Sequence, residues 1–451
     1  MKKTYTSRTR LTVIVCVAAG LLVSGLLYAF KSTDTASEGQ AIASVKEAYA
    51  IPALLERDKN LSYDEFIKIR EKFDKLSDDY KKDPANLESL IKLAEIYIFE
   101  ARVTGQHPYY YGAALTTLDE LIANSKKLTP DQHFNALFYK ATVQLSQHNF
   151  NEALETGRKA LALNNVNSGI YGVMVDANVE IGNYAEAVKY SDKMISIRPD
   201  LRSYSRISYL REIYGDMPGS ISSMKMAIDA GAPYSEYKCW TIVTMGKLYE
   251  DHNNLDSASA YYQFALKERE NYPFGIAGLA SIEAKKGNYA KADSLYIQAL
   301  KVLPEISFSI ARARIYKETG KTAEMNRLVK EIETMFREDM NSGHNMNLEY
   351  AQFLNEFKQD YDSALALGLQ ELQKRPNNID VNRLLAFTYY AKGDMENAGK
   401  HADIAMKTNK QDSELYCIAG LAKNDKKLVA RSFKIDQYQD HYFVENAKRM
   451  L

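Results

Sequence analysis

The side chains of this 451-residue chain that could do chemistry are spaced for none of the familiar reactions. Seven histidines stand apart: His107, His133, His148, His252, His344, His401 and His441. Metal-assisted hydrolysis from a helix needs two imidazoles one turn apart, as in H-E-x-x-H, and the chain has no such pair. Gly320-Lys321-Thr322 has the ending of a phosphate loop, whose backbone N–H groups cradle a nucleotide. The glycine required five residues earlier is Ile315, however, and the flanks read as helix instead of strand. No G-x-S-x-G elbow presents a serine nucleophile. Cys16, Cys239 and Cys417 lack the C-x-x-C spacing of zinc or dithiol chemistry. A bridge between Cys239 and Cys417, which lie far apart along the chain, is disfavoured because it needs Cα atoms within about 7 Å. The acidic residues fall where solvated helix faces predict them. The sequence therefore predicts no enzyme, no cofactor and no metal.

The elements that carry these side chains are repeats. A five-residue phrase runs from Asn149 to Ala153, Asn183 to Ala187, Asn254 to Ala258, Asn288 to Ala292, Asp360 to Ala364 and Asp394 to Ala398, with weaker copies ending at Ser220 and Met325. The steps between copies are 34, 33, 38, 34, 33, 39 and 34 residues. A period of this length means stacked supersecondary units that each touch chiefly their neighbours. Around Ala292, the residues Ile276, Leu279, Ala280 and Ile282 recur at helical spacing, Lys286-Gly287-Asn288 makes a turn, and 290–303 is periodic again. Each unit is thus a helical hairpin. Gly182, Gly215, Gly287, Gly320 and Gly393 suit the left-handed residue that ends a helix, and the Asn or Asp that follows each of them except Gly320 suits the next N-cap. The alanine falls where the two helices cross. A second small residue seven positions on (Ala160, Ala227, Ala265, Ala299, Ala405) admits the next unit, and Pro199, Pro304 and Pro376 stop the second helix.

These residues resemble the tetratricopeptide repeat, a 34-residue unit with small residues, aromatics and a proline at set positions. Ala280, Ala292, Ala299 and Pro304 match it, as do Ala386, Tyr389, Ala398 and Ala405, and Tyr249, Ala258 and Ala265. The resemblance implies an all-α, right-handed superhelical solenoid of about nine hairpins, whose first helices line a concave groove for protein or peptide partners. In the family's numbering Asp176, Tyr209, Lys247, Arg314 and Phe387 face that groove and are the partner-binding candidates, over a floor that includes Gly172, Ser205 and Ala277. The family's carboxylate clamp for C-terminal peptide tails is not reproduced. The first unit departs from the pattern with an inserted loop over 104–112 that carries His107, Tyr109, Tyr110 and Tyr111, either a recognition element or packing ballast, with packing favoured.

At the N-terminus, Leu11–Phe30 is 20 residues without a charge, long enough as a helix to span about 30 Å of hydrocarbon. Lys2, Lys3, Arg8 and Arg10 precede it, so the positive-inside bias leaves the N-terminus cytoplasmic and the array outside. The alternative is a signal peptide cleaved near Val23-Ser24-Gly25 and a secreted or periplasmic chain. The expected organisation is a basic segment (1–10), an anchor (11–30), a linker (31–60), a leading cap helix (61–82) opened by a capping box of Ser62 and Glu65, the array (83–409), and a degenerate terminal repeat with a cap helix (410–451). Lys plus Arg and Asp plus Glu are both 58, so no net field favours nucleic acid. The expected role is a membrane-tethered scaffold in the assembly or regulation of an envelope complex. The alternative role is a surface or secreted binder of a small molecule or glycan, with Tyr109, Tyr110 and Tyr111 as stacking platform.

Overall fold

A computed structural model describes residues 49–59, 61–439 and 443–451. The expected basic segment, the anchor and most of the linker lie outside the described residues. Among the described residues no helix is long and apolar enough to cross a membrane.

A leading helix α1 (Tyr63–Lys82) is followed by ten hairpins. The first five are α2 (Leu87–Thr104) with α3 (His107–Ala123), α4 (Pro130–Ser146) with α5 (Phe150–Leu163), α6 (Ser168–Glu180) with α7 (Tyr184–Ile197), α8 (Leu201–Ile213) with α9 (Met217–Asp229), and α10 (Glu236–Glu250) with α11 (Leu255–Glu268). The next five are α12 (Pro273–Lys285) with α13 (Tyr289–Val302), α14 (Ile306–Glu318) with α15 (Thr322–Asn341), α16 (Asn347–Phe353) with α17 (Tyr361–Lys374), α18 (Ile379–Ala391) with α19 (Met395–Ala405), and α20 (Ser413–Lys423) with α21 (Lys426–Ile435). A π-helical turn, Leu354–Lys358, extends α16, and a short α22 (Val444–Met450) closes the chain.

The repeat positions do what their residue types dictate. Ala153, Ala187, Ala258, Ala292, Ala364 and Ala398 have no exposed surface, and neither do Ala160, Ala227, Ala265, Ala299 and Ala405. A larger side chain at either position would force the crossing helices apart. The five turn glycines have φ between +68 and +84°. The Asp caps and one Asn cap do the same work: Asn254 Oδ1 accepts from the Ser257 N–H at 3.0 Å. Asp216, Asp360 and Asp394 accept from the N–H groups of Gly219, Ser363 and Asn397, whereas Asn288 instead donates its amide to Glu283 at 2.8 Å. A carboxylate has only acceptors and also suits the positive end of the helix dipole.

The hairpins wind into a superhelix tight enough for successive turns to touch. The Asn345 N–H donates to the Gln147 carbonyl at 2.9 Å. Asn378 Nδ2 donates to the Glu180 carbonyl and the Ile379 N–H to the Tyr184 hydroxyl, each at 2.9 Å, and Lys410 pairs with Glu212 at 3.3 Å. These partners are 195 to 198 residues apart, which at the observed period makes about six hairpins per turn. The contacts lie where the turn within one hairpin meets the start of a first helix one superhelical turn later.

Four expectations change. Residues 50–58 are no free linker: they run extended against the first hairpin, with Tyr97 donating to the Pro52 carbonyl (2.5 Å), Tyr109 to the Ala53 carbonyl (2.6 Å), and the Leu55 N–H donating to Tyr110 (3.1 Å). Tyr109, Tyr110 and Tyr111 are therefore not in a loop but in the opening turns of α3, and Tyr110 and Tyr111 are buried. Ser62 makes no capping bond, because Glu65 is held by Arg57 (2.9 Å) and Arg269 (3.0 Å) and the Ser62 backbone turns left-handed. The tail expected as a degenerate repeat is a full tenth hairpin, whose second helix stops before Asp436, the carboxylate that accepts from Lys285 at 2.9 Å.

Candidate functional site: the inner face

First helices touch the first helices of adjacent units and so line the inside of the superhelix. This lining is fixed because the crossing alanines set each hairpin's orientation and the inter-turn hydrogen bonds set the winding.

Most charges on this face are spent on one another. Asp176 takes a bidentate pair from Arg206 of the next unit, at 2.8 and 2.5 Å. Arg314 clamps Glu356 twice at 2.7 Å. Arg383 meets Asp412, Asp380 and Glu414 at 2.9 to 3.2 Å. Paired groups of this kind set the spacing between units and leave little free charge for a ligand. Phe387 is not a groove residue at all: it is 6 % exposed and stacks on Phe443 at 5.1 Å, so the C-terminal segment covers that stretch of the inner face.

Tyr209 and Lys247 are different. Both remain exposed, on adjacent first helices α8 and α10, and neither hydroxyl nor ammonium has a hydrogen-bonding partner among the described residues. Burial inside the superhelix pushes the Tyr209 phenol above its ordinary value; Lys410 opposes this, while Glu180, Asp380 and Glu212 add to it. Asp251 is the main reason the Lys247 ammonium is held more firmly protonated than usual. Glu180 is pushed up to about 7, by burial first and then by Asp380, against the pull of Arg375. The inner face here thus presents an exposed phenol and an exposed ammonium, with the Glu180 carboxyl, which burial holds toward its protonated form, acting on the phenol.

Reading along the sequence missed two aromatics of the same region. Trp240 is 47 % exposed and stands edge-on to Phe274 at 5.0 Å, and Tyr237, 42 % exposed, lies under the Arg102 guanidinium at 4.3 Å. Both are on α10, seven and ten residues before Lys247, at positions that the family numbering did not single out. The one available signal was that Trp240 is the only tryptophan in the chain. Here the 38-residue step inserts 230–235, and α8 packs less closely on α10 than α6 does on α8. Tyr209 on α8 and Tyr237 and Trp240 on α10 stay exposed on either side of this junction.

The two described cysteines are buried and unpaired, and burial raises the thiols to about 11 for Cys239 and about 12 for Cys417, which makes them poor nucleophiles. The histidines do not stay apart. His107, His148 and His344 converge where two superhelical turns meet.

No family model and no curated protein matches the chain. Among solved structures it is similar to a thermophilic TPR protein of Thermus thermophilus, with 20% identity, 44% of this chain and 98% of that chain covered, and a TM-score of 0.37. A tetratricopeptide repeat protein from Parabacteroides merdae is 18% identical over 56% of this chain and 97% of that one, at a TM-score of 0.32. The human IFIT1 dimer with m7Gppp-AAAA is 14% identical over 78% of this chain and 89% of that one, at 0.44. The assignment of hairpins rests on this chain's own period and contacts.

Proposed function

We propose that this tetratricopeptide-type array is a non-catalytic scaffold that holds an extended segment of a partner protein along its inner face, centred on the exposed side chains of α8 and α10. The carrying observation is that Tyr209, Tyr237, Trp240 and Lys247 stay open there while the neighbouring charges are consumed in internal pairs. Exposed Trp and Tyr around a cation are the residue types that dominate binding energy at interfaces. The same internal pairing takes Arg206, Arg314 and Arg383 out of any basic stripe that a phosphate backbone would need. In this reading Leu11–Phe30 tethers the array to a membrane, with the N-terminus cytoplasmic, and the array serves an envelope complex. The reading as a glycan or small-molecule binder loses its support, because Tyr109 and Tyr110 bond to residues 53 and 55 and Tyr111 is buried.

Trp240 makes the test direct, since intrinsic tryptophan emission reports that face alone. Partners captured from solubilised membranes by the full-length protein are compared with those of a Tyr209→Ala, Trp240→Ala, Lys247→Ala variant. The expected result is a partner lost from the variant whose peptide shifts wild-type Trp240 emission. An unchanged partner set would sink the inner-face reading. A reporter fused after Leu451 that is active only in the cytoplasm would overturn the orientation.

A further inference from the structure

Three histidines that the sequence keeps far apart meet where one superhelical turn lies against the next. His107 opens α3, His148 sits in the turn between α4 and α5, and His344 follows Gly343 in the connection between α15 and α16. The His344 ring stands edge-on to both others, with centroids 4.5 Å from His148 and 6.4 Å from His107. Asp339, in the last turn of α15, brings a carboxylate oxygen to 3.3 Å from His344 Nδ1. One ligand atom from each of His107, Asp339 and His344 lies within 4.8 Å of the other two.

A second observation is independent of this clustering. The His344 side chain is 10 % exposed, yet neither ring nitrogen makes a hydrogen bond, the nearby Asp339 oxygen lying out of line for one. Buried polar atoms in native proteins are nearly always satisfied, and an orphaned one calls for a missing partner. The surroundings are built to hold the ring still. Ser342 donates both its N–H (3.0 Å) and its hydroxyl (2.7 Å) to the Asp339 carbonyl, and the Asn345 N–H is tied to Gln147 of the facing turn at 2.9 Å. Imidazole nitrogen and carboxylate oxygen are ordinary donors to zinc, and bonds of about 2.0–2.1 Å in a tetrahedron place donors about 3.3 Å apart. Side-chain rotations of about 1 Å close the present spacing to that value.

We propose that His107, Asp339 and His344 form a site for one divalent transition-metal ion, zinc by the nature of its donors, which clips the first hairpin to the seventh across a superhelical turn. His148 and Glu349 flank the site as outer partners: His148 Nδ1 lies 3.1 Å from the Asn345 carbonyl and 3.6 Å from Glu349. The location gives the ion a mechanical role. The 39-residue step falls between α15 and α16, whose backbones are spaced by the packed rings of Phe336, Tyr350 and Phe353. A clip at Asp339 and His344 ties that joint to the first hairpin.

The test uses the untagged full-length chain in mild detergent, stripped with chelator and titrated calorimetrically with zinc and optically with cobalt(II). The expected result is one ion per chain, a visible cobalt band that zinc abolishes, and slower hydrogen exchange over 339–346 in the zinc form. Affinity should fall by at least about tenfold in His107→Ala and in His344→Ala, while His133→Ala, a histidine outside the cluster, should bind as wild type does. His344→Gln, which keeps the volume, replaces the alanine variant if circular dichroism shows that it has unfolded. No zinc uptake by the wild type, or equal affinity in wild type and in the His107 and His344 variants, would overturn the proposal.

Discussion

The winding of the superhelix can be tested at a single atom. Gly182 and Gly287 occupy the same place in their hairpins and have nearly the same backbone, φ +84° and +79°. A Cβ at Gly287 would meet nothing within 4 Å, whereas one at Gly182 would lie 2.5 Å from the Asn377 carbonyl carbon and 2.6 Å from the Asn378 nitrogen, one superhelical turn away. Alanine at either site costs about 1–2 kcal/mol for the left-handed backbone. At Gly182 the facing turn must also retreat by about 1 Å to reach an ordinary carbon contact. That retreat breaks the 2.9 Å bonds from Asn378 to the Glu180 carbonyl and from Ile379 to Tyr184. At about 0.5–1.5 kcal/mol each, the two add about 1–3 kcal/mol. Gly182→Ala should therefore lower the urea midpoint clearly further than Gly287→Ala, and small-angle scattering should show a longer, looser particle for Gly182→Ala alone. Equal destabilisation with unchanged dimensions would refute the idea that turn-to-turn contact sets the winding.

Two further outcomes follow from buried charge. Arg57 and Glu100 are both fully buried and paired, with a second bond from Arg57 Nε to Glu100 at 3.2 Å, so Arg57→Met should cost about 3–5 kcal/mol by stranding the carboxylate, and adding Glu100→Gln should recover part of it, both read by thermal unfolding. Glu180 has a folded pKa of about 7, above its unfolded value, so the folded state binds more protons between about pH 4.5 and 7 and stability falls as pH rises through that window. The full shift would be worth about 3.4 kcal/mol, but 33 % of the side chain is open and Arg375 lies at 3.3 Å, so about 1–2 kcal/mol is expected, absent from Glu180→Gln in a pH series of urea curves.

The hairpin was legible because its causes are local. Crossing alanines, turn glycines and stopping prolines act between residues a few positions or one unit apart, and the 34-residue period exposes them. The inner face was half legible. Tyr209 and Lys247 follow from their place in the unit, but the fate of Phe387 depended on where Phe443 would fold back, and that of Arg314 on Glu356, 42 residues away. Tyr109, Tyr110 and Tyr111 read as a loop because three aromatics and a Gly-Gln-His-Pro run break the repeat; the strap of residues 52–55 that turns them into core lies ahead of the array, where no repeat pattern operates.

A second spacing, not visible in the first, governs everything else. Gln147 with Asn345, Glu180 with Asn378, and Glu212 with Lys410 are all 198 residues apart, and His148 meets His344 at nearly the same separation. That number is set by how many units complete a superhelical turn, and each unit contributes only a small rotation fixed by the volumes at its crossing positions. The 38- and 39-residue steps add to it. A metal motif sought within one helix could not register His107, Asp339 and His344, since each is unremarkable in its own hairpin and only the closed turn makes them neighbours. In a solenoid wound this tightly, chemistry is to be sought between residues one superhelical turn apart, at the junctions where the unit length departs from its mean.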